Sequence, residues 1–586
     1  MATVLNDIVA FRKDKLFNGA VDTDWFYSSP EKAEDAAKNF VFHGPETHAV
    51  SSSDIHSSHR LVDTASFATS LMKRSFGQDD QPFTLVIAGY GTGKSHLALT
   101  LSQLFHAPKS EAASEVISAL KLASPSLAKE VVSYIEEDSR PVLVITLNGL
   151  NQVNLLSEIT QKVINQLKAD GLDTSAVDEV CPRFQNAIRH IKVINADYQA
   201  ELIASTYHTS IEDIEAALLQ HEEETFKNVY DFLQNRAGIP IDTSKAETLK
   251  SLFEVICGHY CGTDNFYRSC MIFFDEFGKY LEFSTVKPHL AGYGILQDLF
   301  EAVQAHDSLV SFIGFIQYEL NAYENRSNLS SNDKSEMKRY ITRYDSASKV
   351  HLSTNIETII ASRIEIKGDT PFLRDTSLIE QSRITINTLF PSSRDSSTWT
   401  NSDIFKKVII ERCWPLSPHA MWFIYYLSAA GKYLQERSAL YLLDEAFKTN
   451  GDTLISSIPQ IGLPPVSLWS NSLLEELQAA EEAGRLGGTA LAYATISDKY
   501  GEKLSERELN ILRAIVISTK IGLVCKEEYH AFNALEVLTG YDRSDISSGL
   551  ESLLTEYNVI EWDSSLNRYE LLSDRGPFLE YQKLVR

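Results

Sequence analysis

The stretch 83–105, FTLVIAGYGTGKSHLALTLSQLF, joins an apolar run to a glycine-rich turn carrying a lysine and a serine, then passes into a helical pattern. That order of residue types suits polyphosphate binding. Successive backbone N–H groups in a tight glycine turn point inward at phosphate oxygens, and Gly89, Gly91 and Gly93 can take backbone angles closed to side-chain-bearing residues. Lys94 is placed to reach the β- and γ-phosphates and the Ser95 hydroxyl to complete a Mg2+ shell. The helix opening there adds the positive end of its dipole. The first position of the G-x-x-x-x-G-K-[ST] pattern is Ala88, small enough to fit. Expected nucleotide contacts run through Ala88, Gly89, Tyr90, Gly91, Thr92, Gly93, Lys94, Ser95 and His96.

A second constellation lies in CMIFFDEFGKYLE (270–282), an apolar strand ending in two carboxylates. Asp275 is expected to hold Mg2+, and Glu276 to orient or deprotonate an attacking water. A protein that only bound nucleotide would have little need of the second acid; the bland alternative is a strand running into an acidic helix cap. The segment LVSFIGFIQY ends in Gln317 at a strand tip, able to touch a γ-phosphate or position the water, unless it merely faces solvent. Farther on, MKRYITRYDSASKV (337–350) offers Arg339 and Arg343. A guanidinium from a neighbouring subunit stabilises charge in phosphoryl transfer, and Arg343 is the first choice; solvated helix residues are the alternative. Arg437, in GKYLQERSALYLL (431–443), is the candidate second sensor on a helical lid.

These residues need a scaffold that gathers strand ends. Continuous apolar strands are read at 83–87, RPVLVITLNGL (140–150), CMIFFDE (270–276), LVSFIGFIQ (309–317) and KVHLSTN (349–355), of the kind buried on both faces of a parallel sheet. Helical periodicity between them implies an α/β fold with helices on both faces. The stretch 153–267 reads as a helical insertion, 356–449 as helices, and the Pro-, Gly- and Ser-rich GDTLISSIPQIGLPPVSLWS (451–470) as a linker or docking loop. The expected division is 1–59, a segment packing on the core; 60–355, the core with its insertion; 356–450, a helical lid; 451–499, a linker or docking region; and 500–586, a winged helix.

Composition narrows the function classes. At 586 residues the chain exceeds one ordinary domain, and a formal net charge of −25 is a poor balance for coating nucleic acid. Any DNA contact must be local or made with a partner's help. Six cysteines in this length do not form a disulfide framework and suggest a reducing compartment. The apolar run MWFIYYLSAAG (421–431) is too short to cross a bilayer, and the N-terminus lacks a signal-peptide apolar region. A cytoplasmic protein without membrane partners is expected.

Several stretches together carry a resemblance: FVFHGPETHAV (40–50), HRLVDTASF (59–67), IAGYGTGKSHLALTL, FDEFGKYLE and CWPLSPHAMWFIYYLSAAGKYLQERSALYLL (413–443). The chain resembles the large ATP-binding proteins of bacterial phage-defence operons, similar to the ATPase components of BREX phage-exclusion systems. More distantly it is similar to AAA+ ATPases of the origin-recognition and Cdc6 type, in which an ATPase core precedes a helical lid and a winged helix. The resemblance implies ATP as the nucleotide, homo-oligomeric assembly through a nucleotide-bearing interface, and work with partner proteins of the same operon. By position it covers Lys94, Ser95, Asp275 and Glu276, and extends to Arg343, Arg437 and an adenine-side segment around Leu61–Asp63.

Residues 505–572 read as three helices followed by a β-wing, a winged-helix pattern. In a DNA reader the third helix should be basic. Here twelve acidic residues face six basic ones across 505–572, so a protein-contacting or lid-stabilising role is preferred. The CGHYCG motif places Cys257, His259 and Cys261 near Cys270, and is read as buried small hydrophobes rather than a zinc site. His43, Pro45 and His48 are read as a loop packed on the core.

The reading is therefore a P-loop NTPase of the additional-strand (ASCE), AAA+-like class: an ATPase with ATP and Mg2+ as cofactors, acting as a conformational switch or motor. Its rivals are a DNA-remodelling or DNA-loading AAA+ ATPase and a non-hydrolysing nucleotide-gated scaffold.

Overall fold

The computed structural model describes residues 3–12, 21–45, 61–79, 81–88, 93–206, 208–239, 248–326, 330–352, 356–367, 375–430, 436–482 and 488–572. The chain divides into two units, one comprising Gly19–Pro45 and His59–Ser353, the other Met1–Asn18, Glu46–Ser58 and Thr354–Arg586. In chain order the strands are β1 (Val9–Phe11), β2 (Leu61–Val62), β3 (Phe83–Ile87), β4 (Leu143–Asn148), β5 (Cys270–Asp275), β6 (Val310–Ile316), β7 (Ser348–Leu352), β8 (Ile364–Ile366), β9 (Ile560–Asp563) and β10 (Arg568–Leu571).

The unit built around Gly19–Pro45 and His59–Ser353 holds a six-stranded sheet of order β2-β7-β3-β6-β5-β4. Every neighbouring pair is parallel. Residues of β3, β5 and β6 are buried throughout, as expected of strands covered on both faces. The strand leading into the glycine turn and the strand ending in the acids are not neighbours, since β6 lies between them. That order brings the carboxyl ends of three consecutive strands together. In register, Ile87 of β3 pairs with Ile316 of β6, and Asn148 of β4 with Asp275 of β5. In open parallel sheets such a row of carboxyl ends is where ligands bind.

The edge strand β4 is covered by the segment around Asp22–Ser28. Tyr27 donates to the Val144 carbonyl at 2.9 Å and Thr146 to the Thr23 carbonyl at 3.1 Å. Lys162 ties the cover down through Asp24 (2.7 Å) and the Thr146 carbonyl (2.7 Å). An edge so occupied cannot template another chain.

The stretch 153–267 contains two kinds of helix. Leu155–Ala169 and Leu249–Val255 contribute Ile159, Val163, Leu252 and Phe253 to the sheet's own core. The helices Pro182–Val193, Ala196–Thr206, Ile211–Leu219 and Glu223–Phe232 instead share a separate core around Phe184, Leu202, Ile214 and Val229. The self-contained helical cluster is therefore narrower than the stretch read from periodicity.

The other unit is helical around Trp399, Trp422, Phe423 and Ile515, all buried. Two short strands interrupt that pattern: β1 and β8 pair antiparallel, with Val9 opposite Ile366. The Pro-rich stretch 451–470 packs into this core through Ile458, Leu463, Val466 and Leu468, and Leu463 exchanges backbone hydrogen bonds with Pro415 (2.6 Å) and Ser417 (3.0 Å). At the chain's end the helices Glu506–Lys520, Glu528–Thr539 and Arg543–Ser552 precede the antiparallel hairpin β9–β10. Arg543 lies over the Tyr529 and Phe532 rings (5.4 and 4.8 Å), and Asp545 pairs with Arg507 at 3.0 Å.

Candidate functional site

At the end of β3, the Ala88 N–H donates to the Ile316 carbonyl at 3.2 Å, so the turn begins anchored to β6. Gly89, Tyr90, Gly91 and Thr92 lie outside the described residues. Gly93 closes the turn in the left-handed region (φ 76°, ψ 18°) and caps the helix Lys94–His106, its carbonyl accepting from Leu97 at 2.8 Å. A side-chain-bearing residue is strained there, which is what the glycine supplies. Lys94 is 6% exposed, and its ammonium donates to the Ala88 carbonyl at 3.0 Å, spanning the two ends of the turn.

Ser95, in the first turn of that helix, is near enough to Asp275 at the end of β5 for its hydroxyl to favour the carboxylate. Asp275 is 3% exposed, and its Oδ1 also accepts the Glu276 N–H at 3.0 Å. Burial pushes its carboxyl up to about 6; the Glu276 charge adds to the rise, while the Ser95 and backbone hydrogen bonds and the Lys94 charge oppose it. Beyond Asp275 the chain turns sharply. Glu276 sits in the left-handed region (φ 48°, ψ 36°) and caps the helix Phe277–Val286. For a residue with a Cβ this costs about 1 kcal/mol or more. Gln317 follows β6, and its Nε2 donates to both Glu276 oxygens at 2.9 and 3.1 Å. Because a carboxylate only accepts, the amide nitrogen must face it.

The structure thus brings Lys94, Ser95, Asp275, Glu276 and Gln317 together at the ends of β3, β5 and β6. Other expected residues lie elsewhere. The His96 ring reaches the Ala36 carbonyl at 2.6 Å and packs edge-on against Phe40 at 5.1 Å, so its side chain joins a neighbouring helix. Arg343, on the helix Ser331–Tyr344, makes a long 3.5 Å bond to the Arg339 carbonyl, and among the described residues no hydrogen bond or ion pair links it to the cluster. Arg437 belongs to the helix Glu436–Asn450 in the other unit, and its side chain lies outside the described residues. Leu61 and Val62 form β2, and Asp63 caps the helix Thr64–Ser75 by accepting from Ser66 at 2.7 Å. His43 is buried and bonded through its backbone to Thr64 (2.8 Å) and Ala65 (2.9 Å); His48 lies outside the described residues.

Burial pushes the Cys257 thiol up to about 12 and those of Cys261 and Cys270 well above the usual value. Among the described residues there is no group of three or more His, Cys, Asp or Glu able to hold a metal, and no helix long and apolar enough to cross a membrane.

Four further residues shape the cluster. Asn148, opposite Asp275 in the register, accepts from the Leu150 N–H at 3.0 Å and so closes the turn after β4. Gly149 lies against the Glu276 backbone, and Gly278 beneath the Tyr323 ring. The glycine in ITLNGL at a strand end was a visible signal for close approach; nothing in the sequence pattern marked Tyr323.

No family model and no curated protein matches the sequence. Among solved structures the chain is similar to that of the Aeropyrum pernix ORC2 protein in ADPNP and ADP complexes, at 14% identity and a TM-score of 0.26, covering 89% of this chain and 91% of that one. A TM-score of that size supports no inference, and the fold is read from the strand order and registers above.

Proposed function

We propose that this protein is an ATPase of the additional-strand P-loop class with AAA+-like organisation, binding Mg-ATP at the ends of β3, β5 and β6 and hydrolysing it. The observation that carries the reading is the hydrogen bonding of Gln317 to Glu276 beside a buried Asp275 on which the Lys94 charge and the Ser95 hydroxyl both act. The donor set fits Mg2+, a hard cation commonly held by one or two carboxylates together with substrate phosphates. Ser95 and Asp275 would hold it. When bound, the ion neutralises charge on the phosphate oxygens.

The chain's own residues divide the remaining work. Lys94 would leave the Ala88 carbonyl for the β- and γ-phosphates. Glu276 takes the proton of the attacking water. Gln317, held on Glu276, fixes the direction of that carboxylate and would be within reach of a γ-phosphate. Arg343 from a neighbouring copy is assigned to stabilise charge on the γ-phosphate, which makes the enzyme a homo-oligomer with shared sites. Arg437 serves as the sensor on the helical unit.

Residues 500–586 are read as a winged helix on the order of their helices and hairpin. Its third helix carries Arg543 already stacked on aromatic rings, so we assign the module to protein contact rather than DNA readout. Placement in a cytoplasmic phage-defence assembly with operon partners rests on the sequence resemblance alone.

Phosphate release by the purified protein against Glu276→Gln tests the reading. Loss of at least 100-fold with retained ATP binding is expected. Equal rates in both proteins overturn hydrolysis and leave a nucleotide-gated scaffold. Stimulation by DNA that weakens steeply with salt would favour a DNA-remodelling enzyme instead.

A further inference from the structure

Glu276 and Gln317 stand on two separate strand ends, and their contact requires those ends to be held in a fixed relation. The helix Leu320–Arg326 follows β6 and carries Tyr323, which is 3% exposed. Its hydroxyl accepts the Gln317 backbone N–H at 3.2 Å. Its ring covers Gly278, in the first turn after Glu276, so closely that a Cβ there would stand 2.1 Å from the ring's Cζ and 2.2 Å from its oxygen. One side chain therefore touches both the residue beyond β6 and the turn beyond β5. The Glu276 charge also reaches the phenol, adding to the rise that burial imposes on its ionisation.

We propose that Tyr323 is a positioning residue for ATP hydrolysis: its hydroxyl holds the Gln317 backbone while its ring seats on Gly278, keeping the Gln317 carboxamide on the Glu276 carboxylate. This role rests on the ATPase reading above. Tyr323 acts through Gln317 and Glu276 and has no direct part in the chemistry. Gly278 is glycine because the ring occupies the space of any Cβ.

The test uses the full chain and the variants Tyr323→Phe, Gln317→Ala and their combination. Kd for a nonhydrolysable ATP analogue with Mg2+ and kcat for phosphate release are measured for each. Tyr323→Phe keeps the ring and removes the hydroxyl. It should hold Kd within about twofold and lower kcat about tenfold, the weight of one well-placed hydrogen bond. In the Gln317→Ala background it should change kcat no further, because both substitutions break the same link. Gly278→Ala supplies an independent arm: it should lower kcat when Tyr323 is present and add nothing to Tyr323→Ala. A Tyr323→Phe protein with wild-type kcat, multiplicative losses in the double variant, or a Kd loss matching the kcat loss would each overturn the positioning role while the ATPase reading stands. Wild-type protein without Glu276-dependent phosphate release overturns the ATPase reading, and the positioning role with it.

Discussion

Replacing Gly149 by alanine probes how tightly Glu276 is placed. A Cβ at 149 would stand 2.1 Å from the Glu276 carbonyl oxygen, 2.8 Å from its carbon and 3.1 Å from the Tyr280 nitrogen. All three are backbone atoms, so no side-chain rotation relieves the contact. A carbon settles against a carbonyl oxygen at about 3.3 Å, which leaves roughly 1.2 Å of separation to be found. Neither side yields freely. The Gly149 N–H is bonded to the Asp275 carbonyl at 2.8 Å, and the Glu276 carbonyl holds the first turn of its helix through Lys279 at 2.8 Å. Gly149 is not among the left-handed glycines, so the effect is contact rather than backbone strain. Displacement of a catalytic group by about 1 Å costs on the order of 100-fold, and forced packing of this kind costs about 1–3 kcal/mol of stability. Steady-state phosphate release should therefore show kcat about 100-fold down for Gly149→Ala, with the nucleotide Kd nearly unchanged because Lys94 and Ser95 stand on a separate element, the helix after β3. A kcat within threefold of wild type, or a Kd loss equal to the kcat loss, would refute this geometry.

Glu357 is 2% exposed and accepts from the Trp399 indole at 2.8 Å; burial pushes its carboxyl up to about 7. Its folded value lies above its unfolded one, so its contribution is complete below the unfolded pKa and is lost as pH rises through about 7. The total is about 3 kcal/mol. Glu357→Gln keeps an acceptor for the indole without a charge; in urea unfolding followed by tryptophan fluorescence, wild type should lose stability relative to the variant between pH 5 and 8, and a pH-independent difference contradicts this. Lys520 and Glu481 form an ion pair at 2% and 1% side-chain exposure. Lys520→Met leaves that carboxylate to the Ala490 and Leu491 N–H groups and the Thr489 hydroxyl. A loss of about 3 kcal/mol is expected in the same unfolding measurement, and a loss below about 1 kcal/mol, the scale of an exposed pair, contradicts it.

What could be read from the sequence depended on whether the cause was local. The turn after β3 and the acids after β5 each lie within a single stretch, and Gln317 was marked by an apolar run ending in a polar residue. Strand adjacency then carries them together, with Ile87 beside Ile316 and Gly314 beside Phe274. Tyr323 and Gly278 act across the chain, through a contact that no spacing announces. The pair β1–β8 escaped notice because three-residue strands show too little alternation, and Ile364–Ile366 directly follows a helix. The stretch 451–470 was misleading in another way. Its prolines and glycines signal turns, yet Ile458, Leu463, Val466 and Leu468 between them are buried, so turn chemistry spoke to backbone path and not to exposure. Helical periodicity over 153–267 likewise could not separate helices that cover the sheet from those with their own core.

Calorimetric titration of Mg-ATP into wild type and Lys94→Ala tests the central claim most directly. The account predicts saturable binding of one nucleotide per chain to wild type, weakened at least tenfold by loss of the ammonium that now spans Ala88 and the turn. Absent binding to wild type, or equal affinity in the two proteins, would contradict it.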